Sequence, residues 1–360
     1  MKKLHVLGFI IAFIFQAHAH TNYPFRNSNI RDGLPDNQIK SLFLSPDGRL
    51  GIRTAALLAF DNGGSYSSYS LNTQLKENYA WGYRKNRAYK EYVDTYERIW
   101  LKDLNYLRVF DLKGECFINN VDSLLEVMHI DRKLQDFFMD KEKRYWFILQ
   151  DGNVCSYSDV TKELQQVCDS NILNTYGYTC DIDAYGDSCW MVHESGVMRC
   201  WDAGKKKFVH QSNILLDRFQ PSERITISAL PEGKLWLKWQ DGVVLYDSRK
   251  QQCTEVEGLD LSSSNILTDM IVDNEGNAWV SSSKNGLYLI DRTARNFTHI
   301  SEIQLVTGGC INNDILSIVA DPSSQSLWLG LLNQGICYYH PSLKKFSTIN
   351  SQMVKGDRKN

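Results

Sequence analysis

From about residue 34 onward the chain is written in short runs that alternate apolar and polar positions, separated by turns rich in Asp, Gly, Asn and Lys. Alternation of period two is the signature of half-buried strands and excludes a helical solenoid. One phrase recurs. "DNEGNAWVSSSKNGLYL" (Asp273 to Leu289) and "DPSSQSLWLGLLNQGICYY" (Asp321 to Tyr339) both pass from an Asp-led turn to a Trp-bearing strand, then through a Gly turn into a second strand. The same Trp position is met at Trp100, Trp146, Trp190, Trp236, Trp279 and Trp328, at intervals of 46, 44, 46, 43 and 49 residues. Counting back the same distance from Trp100 reaches Gly51, where the frame holds with Gly in place of Trp. A period in this range marks a repeat architecture.

Each unit has one grammar: an alternating strand and its turn, the Trp strand, a polar turn often ending in Gly, a third strand, and a short fourth strand. The third strand closes on an apolar residue followed by Asp at Phe60-Asp61, Phe110-Asp111, Trp201-Asp202, Tyr246-Asp247 and Ile290-Asp291. Four antiparallel strands repeated radially predict an all-β fold, a seven-bladed β-propeller. The repeats fall near residues 34–70, 89–120, 134–168, 178–210, 225–257, 263–300 and 311–349. The Trp residues then belong in the wedges between blades, where a large flat ring buries much area. A ring must also be closed. "NYPFRNS" (Asn22 to Ser28) has a fourth-strand pattern and precedes the first strand of unit one, so it is expected as the outer strand of blade seven. "KKFSTI", with Phe346, is then surplus. Cys189 and Cys200 flank one hairpin almost symmetrically and are expected to face each other across blade four.

The first nineteen residues read differently. Lys2 and Lys3 precede the apolar run "LHVLGFIIAFIF", and "AHA" (Ala17 to Ala19) supplies the small residues of a cleavage site. The run is short for a bilayer span, so a cleaved export signal is expected, with a mature start near His20 and a periplasmic location. Residues 351–360 are expected as a tail or a truncated linker. Lys and Arg number 40 against 42 Asp and Glu, without a basic block, which argues against nucleic acid as a partner. Nine cysteines occur without CxxC or zinc-like spacing, which suits buried thiols and at most one or two disulfides.

The segment "DGLPDNQIKSLFLSPDGRLGIRT" resembles the first repeat of the periplasmic sensor region of hybrid two-component systems of glycan-degrading Bacteroidetes, built from two-component regulator propeller repeats. Asn265, Ile266, Asp273, Gly276, Trp279, Gly286 and Asp291 match the typical unit, as do Asn313, Ile315, Asp321, Trp328, Gly330 and Gly335. Units one to four are more degenerate. The resemblance implies a ligand-sensing module for glycan-derived oligosaccharides. Relatives continue into a second propeller, an immunoglobulin-like module, a membrane helix and a histidine kinase. The chain ends at "MVKGDRKN", so the resemblance covers an N-terminal propeller without the membrane and kinase parts, and a second propeller or a homodimer partner is expected.

Blade topology gathers the second-to-third strand turns and the inter-blade connections on one face. That face would present Asp103, His193, Glu194, Trp239, Asp241, Asn285 and Asn333, a ring of acids, amides and rings suited to a polyhydroxylated ligand. The connection between units one and two adds Trp81, Tyr83, Arg84 and Arg87: aromatics for stacking on sugar faces, and arginines for bidentate bonds to hydroxyls or acids. The alternative for this loop is that it folds over the disc and hides its aromatics. "DIDAYGD" (Asp181 to Asp187) spaces carboxylates like a calcium loop, but Trp190 follows in frame, so it reads as a strand and its turn. No metal or cofactor is expected. G-x-S-x-G, H-E-x-x-H and P-loop patterns do not occur. A binding module is therefore expected in preference to an enzyme, with a periplasmic interaction scaffold as the alternative and a carbohydrate-active lyase or hydrolase behind it.

Overall fold

The computed structural model describes residues 23–72, 79–168, 171–216, 218, 224–259, 265–321 and 323–345. The expected leader, the tail and Phe346 lie outside them. Seven antiparallel four-stranded sheets stand around a common axis, each lettered A to D from the axis outward. Blade one comprises Ser41–Leu44, Leu50–Arg53, Leu57–Asp61 and Tyr66–Ser70, and blade two Lys90–Val93, Arg98–Lys102, Tyr106–Asp111 and Cys116–Phe117. Blade three is Leu134–Met139, Tyr145–Leu149, Val154–Ser158 and Glu163–Cys168; blade four is Thr179–Tyr185, Ser188–His193, Met198–Asp202 and Lys207–Ser212. Blade five is Thr226–Ala229, Lys234–Trp239, Gly242–Asp247 and Gln252–Glu255, and blade six Leu267–Val272, Ala278–Ser282, Leu287–Ile290 and Phe297–Ile300. Blade seven takes Ile315–Asp321, Ser326–Leu331 and Gly335–Tyr339 from one end of the chain and Arg26–Ser28 from the other.

The ring therefore closes through the N-terminal segment, as its pattern predicts. Arg26 pairs with Tyr338, Asn27 with Cys337 and Ser28 with Ile336. Phe25 is fully buried, with its ring 5.8 Å from that of Tyr339. Gly335 makes the approach possible: its φ is +76°, and a Cβ there would strike the carbonyl of Ser28.

The recurrent Trp earns its place twice. Trp100, Trp146 and Trp236 are buried in the wedges between blades. The indole N–H groups of Trp100 and Trp146 also donate at 2.9 Å to Asp94 and Asp140, the Asp of the A–B turn six residues earlier. Each of those carboxylates also takes the Nε of Arg98 or Arg144, so one acid fixes the turn and orients the ring. In blade one, Gly51 stands where the other blades have Trp. The cross-strand partner Phe43 lies directly over it, so that a Cβ on Gly51 would collide with the ring. Phe43 thus supplies from the A strand the aromatic bulk that Trp supplies from the B strand elsewhere.

The expected facing pair of thiols is overturned. Cys189 opposes Trp201 and Cys200 opposes Trp190, so the register is one residue away from the symmetric one. Because side chains alternate along a strand, the two thiols point to opposite faces of blade four. Cys189 joins the core shared with blade three, and Cys200 the core shared with blade five. Burial raises both thiols, Cys200 to about 12. All nine cysteines are free.

Candidate functional site

The A strands carry a polar position in an otherwise apolar frame: Ser41, Lys90, Asp136, Asp181, Thr226, Asp269 and Ser317 stand two residues before the partner of the Trp position. These side chains line the axis, and several of them bond to the next blade. Asp181 accepts from the backbone N–H of Ile227 at 2.8 Å, Asp269 from Ile318 at 2.9 Å, and the Ser317 hydroxyl from Leu42 at 3.1 Å. Cations two residues beyond the Trp position do the same. Arg53 reaches Glu91 and Asp103 of blade two, Lys102 reaches Asp136 of blade three, and Lys238 donates to the carbonyls of Leu267 and Thr268 in blade six.

Above this ring, the connection between blades one and two crosses the loop face as a strap. Tyr79–Ala80 pairs with the C strand of blade two, and the chain then runs inward. Arg87 is buried against the Trp81 ring, 4.5 Å from its centroid, and donates to the carbonyls of Gly82, Leu104 and Gln135. Arg84 reaches Glu194 of blade four at 2.7 Å and Asp136 at 3.6 Å. Asp136 therefore faces three cations, Lys102 at 2.6 Å and the two arginines at 3.6 Å. Two charge clusters result, Arg53 and Arg108 on Asp103, and Lys102, Arg84 and Arg87 on Asp136 with Glu194 beyond Arg84, joined where Arg53 donates to the Lys102 carbonyl. A buried network of this kind is costly unless every member is paired, and here the pairing spans four blades.

The sequence-selected residues divide accordingly. Trp81, Arg84 and Arg87 are buried in the strap, which is the alternative in which this loop folds over the disc and hides its ring. Asp103 is spent on Arg53 and Arg108. His193 is fully buried beside Tyr176, and burial pushes its pKa down to about 3, so the ring is neutral. Trp239 is buried over Gly242, where a Cβ would meet the indole. The interior thus already engages these side chains, although the Nε2 of His193 has no hydrogen-bond partner among the described residues. Tyr83 by contrast is 67% exposed, Asp241 and Asn333 are exposed, and Asn285 is partly exposed with its amide donating to the Tyr288 hydroxyl. Sequence reasoning missed Arg53, Glu91, Asp136, Asp181, Asp269 and Arg224. The signal for three of them, Asp136, Asp181 and Asp269, was a polar residue repeating at one position of the A strand.

At the axial mouth, Arg224 is solvent-exposed yet hemmed in by protein, which lowers its pKa while Tyr89 and Tyr83 oppose the shift. Lys90 is exposed beside it in the ring. A second concavity, of about 320 Å³, lies on the same face where the chain ends meet, between the residues that follow strand Arg26–Ser28 and the B–C turn of blade seven. A third, of about 470 Å³, sits at the rim between blades four and five, lined by Gln211, Ser212, Asn213, Ile214 and Gln251. Among the described residues no group of three or more His, Cys, Asp or Glu side chains could hold a metal ion. Nor is any helix among them long and apolar enough to cross a membrane.

No protein-family model matches the chain. A search of curated proteins likewise finds no match. Solved structures do match. The extracellular domain of one hybrid two-component system of B. thetaiotaomicron superposes with a TM-score of 0.63 at 16% identity, over 88% of this chain and 42% of that one. The extracellular domain of a second such system of the same organism gives 0.59 at 15%, over 90% of this chain and 43% of that one. The WD40 β-propeller domain of Doa1 gives 0.59 at 9% identity, over 91% of this chain and all of that one. The chain spans less than half the length of the two sensor domains it resembles. What is shared at these identities is the fold, a seven-bladed propeller found in the extracellular parts of hybrid two-component systems.

Proposed function

We propose that this propeller is an extracytoplasmic ligand-sensing module that binds glycan-derived oligosaccharides on its loop face. The observation that carries the reading is the division of that face into spent and spare groups. The axial charges are consumed in stitching blades together, while Tyr83, Arg224 and the amide-lined concavity at the ring closure keep open donors and an open aromatic. Open donors and rings around concavities are what hydroxylated ligands use. The likeness to two extracellular domains of hybrid two-component systems supports the same role, with a periplasmic location. The paired charges lack a nucleophile joined to a base, which favours binding over catalysis.

A thermal-shift screen against neutral, uronic and sulfated oligosaccharides tests this. A concentration-dependent rise in melting temperature for one class is expected, since a ligand that binds only the folded state stabilises it. No shift from any of the three classes would sink the reading.

A second reading, docking of a protein partner on the same face, is favoured by a specific distribution. Of ten exposed large hydrophobic side chains among the described residues, Ile30, Tyr83, Val127, Leu216, Ile266 and Leu332 lie on inter-blade connections or B–C turns, against Tyr96, Val160, Tyr185 and Val209 elsewhere. Light scattering over a concentration series separates the two: self-association that these side chains control supports the partner, and a monomer that shifts with sugar supports the ligand.

A further inference from the structure

The concavity at the ring closure differs from the axial mouth in being built of amides, and their orientation is fixed. Its walls include Asn29, Arg31, Asn37, Asn333 and Gln334. The oxygen of Asn37 accepts the backbone N–H of Ile30 at 2.9 Å, and the oxygen of Asn29 accepts that of Arg31 at 2.9 Å. The oxygen of Gln334 accepts the N–H of Asn312 at 3.2 Å. A backbone N–H can only donate, so each of these amides must present its oxygen to the protein; none can be turned round. The NH2 groups of Asn37 and Gln334 then have no partner among the described residues, and neither has the Arg31 guanidinium. Nearby carboxylates each accept one bond from the protein: Asp32 from the N–H of Asn29, Asp36 from that of Gln38, and Asp314 from the amide of Asn312. Asn37, Gln334 and Arg31 thus stand at the pocket as spare donors.

We infer that this pocket is a binding site for an acceptor-rich, polyhydroxylated ligand bearing one carboxylate or sulfate group. Arg31 takes the anionic group, for which its planar fork is suited, and the amides of Asn37 and Gln334 donate to hydroxyl or ring oxygens. The assignment rests on the ligand-sensing reading and gives it a place and a charge class. It also has a structural consequence. Asn29, Arg31 and Asn37 follow the N-terminal strand, whereas Asn333 and Gln334 belong to the last blade, so a ligand here bridges the two ends that close the ring.

Two isosteric variants test the site without unfolding it. Asn37→Asp and Gln334→Glu keep the oxygen that serves Ile30 or Asn312, and replace the spare donor by an acceptor that carries a negative charge. Calorimetric titration of the full chain would use a glucuronate-containing disaccharide, its sulfated counterpart and its neutral glucose counterpart. Wild type is expected to bind one of the acidic sugars at least tenfold more tightly than the neutral one. Either isosteric variant should weaken that binding at least tenfold, through the lost amide donor and the new negative charge together, with the melting temperature of the free protein unchanged. Arg31→Gln should remove the preference for the acidic sugar. Which acidic sugar binds separates carboxylate from sulfate recognition. Binding that survives both isosteric variants but is lost in Tyr83→Ala or Arg224→Gln would overturn this site in favour of the axial mouth, leaving the sensing role intact. Equal affinity for neutral and acidic sugars overturns the charge class, and no binding of any of the three overturns the site.

Discussion

At the scale of single residues, most of what the pattern marks is structural. Trp236 is fully buried, and its indole N–H donates at 3.0 Å to the carbonyl of Gly276 in the next blade. Trp236→Ala is expected to cost about 3–5 kcal/mol, the range for deleting a large aromatic from a core. Urea denaturation would measure it, and an unchanged midpoint would contradict a wedge role. Asp181 makes a prediction of the opposite character. Burial raises its pKa to about 6, against the N–H of Ile227 and the charges of Lys90 and Lys102, with Asp183 adding to the rise. The folded chain therefore keeps a proton that the unfolded chain has released, and stability falls as pH rises from about 4 to about 6. In Asp181→Asn that loss is absent, so the variant should gain on wild type across this window and hold the gain above it. A gain on the order of 1–2 kcal/mol is expected, below the full worth of two pK units because water reaches the partly exposed carboxylate. Parallel stability-versus-pH curves would refute it. The Trp column was legible because one residue type recurs at a fixed interval. The axial ring was hard to see because Ser, Lys, Asp and Thr share the position, and what they have in common is polarity, not identity.

Among elements, the strap shows where linear reading stops. Its residues are those a sugar site would use, and nothing local distinguishes an arginine that waits for a ligand from one that reaches a carboxylate 110 residues away. The distinction lies in Asp136 and Glu194, which belong to blades three and four and are brought near only by closing the disc. The cysteine pair failed for a smaller reason. Symmetry about the hairpin would set Cys189 opposite Cys200, whereas the turn closed by the His193 and Val197 backbone groups shifts the register by one residue. Arg84→Ala should release the inner part of the strap while sparing the blades. Amide exchange from Trp81 to Arg87 is expected to quicken at least tenfold, with a loss of about 1–3 kcal/mol in global stability. Protection equal to wild type would mean that Arg87 and Trp81 hold the strap without Arg84.

For the whole molecule, the pattern sufficed to place the closure, because every D strand precedes the next A strand and the N-terminal segment occupies that place before blade one. Deleting residues 23–28 removes the outer strand of blade seven together with buried Phe25. A loss of about 3–5 kcal/mol is expected, from the exposed aromatic pocket and the broken ladder. A midpoint equal to wild type would show that another segment takes the vacant edge.

The closure also dictates an order of events during synthesis. Asn27 and Gln334 are bonded across 307 residues, so the strand Arg26–Ser28 must wait until blade seven has been made. Until then blade seven ends on the strand "GICYY", which presents unpaired backbone along a β-branched and aromatic edge. An edge of that kind takes a strand from whichever chain offers one. At high concentration, refolding thus becomes a contest between a chain's own N-terminus and its neighbour's, and the neighbour's success yields strand-exchanged oligomers. Slow dilution should favour the monomer, and adding the free peptide "NYPFRNS" in excess should trap the open ring.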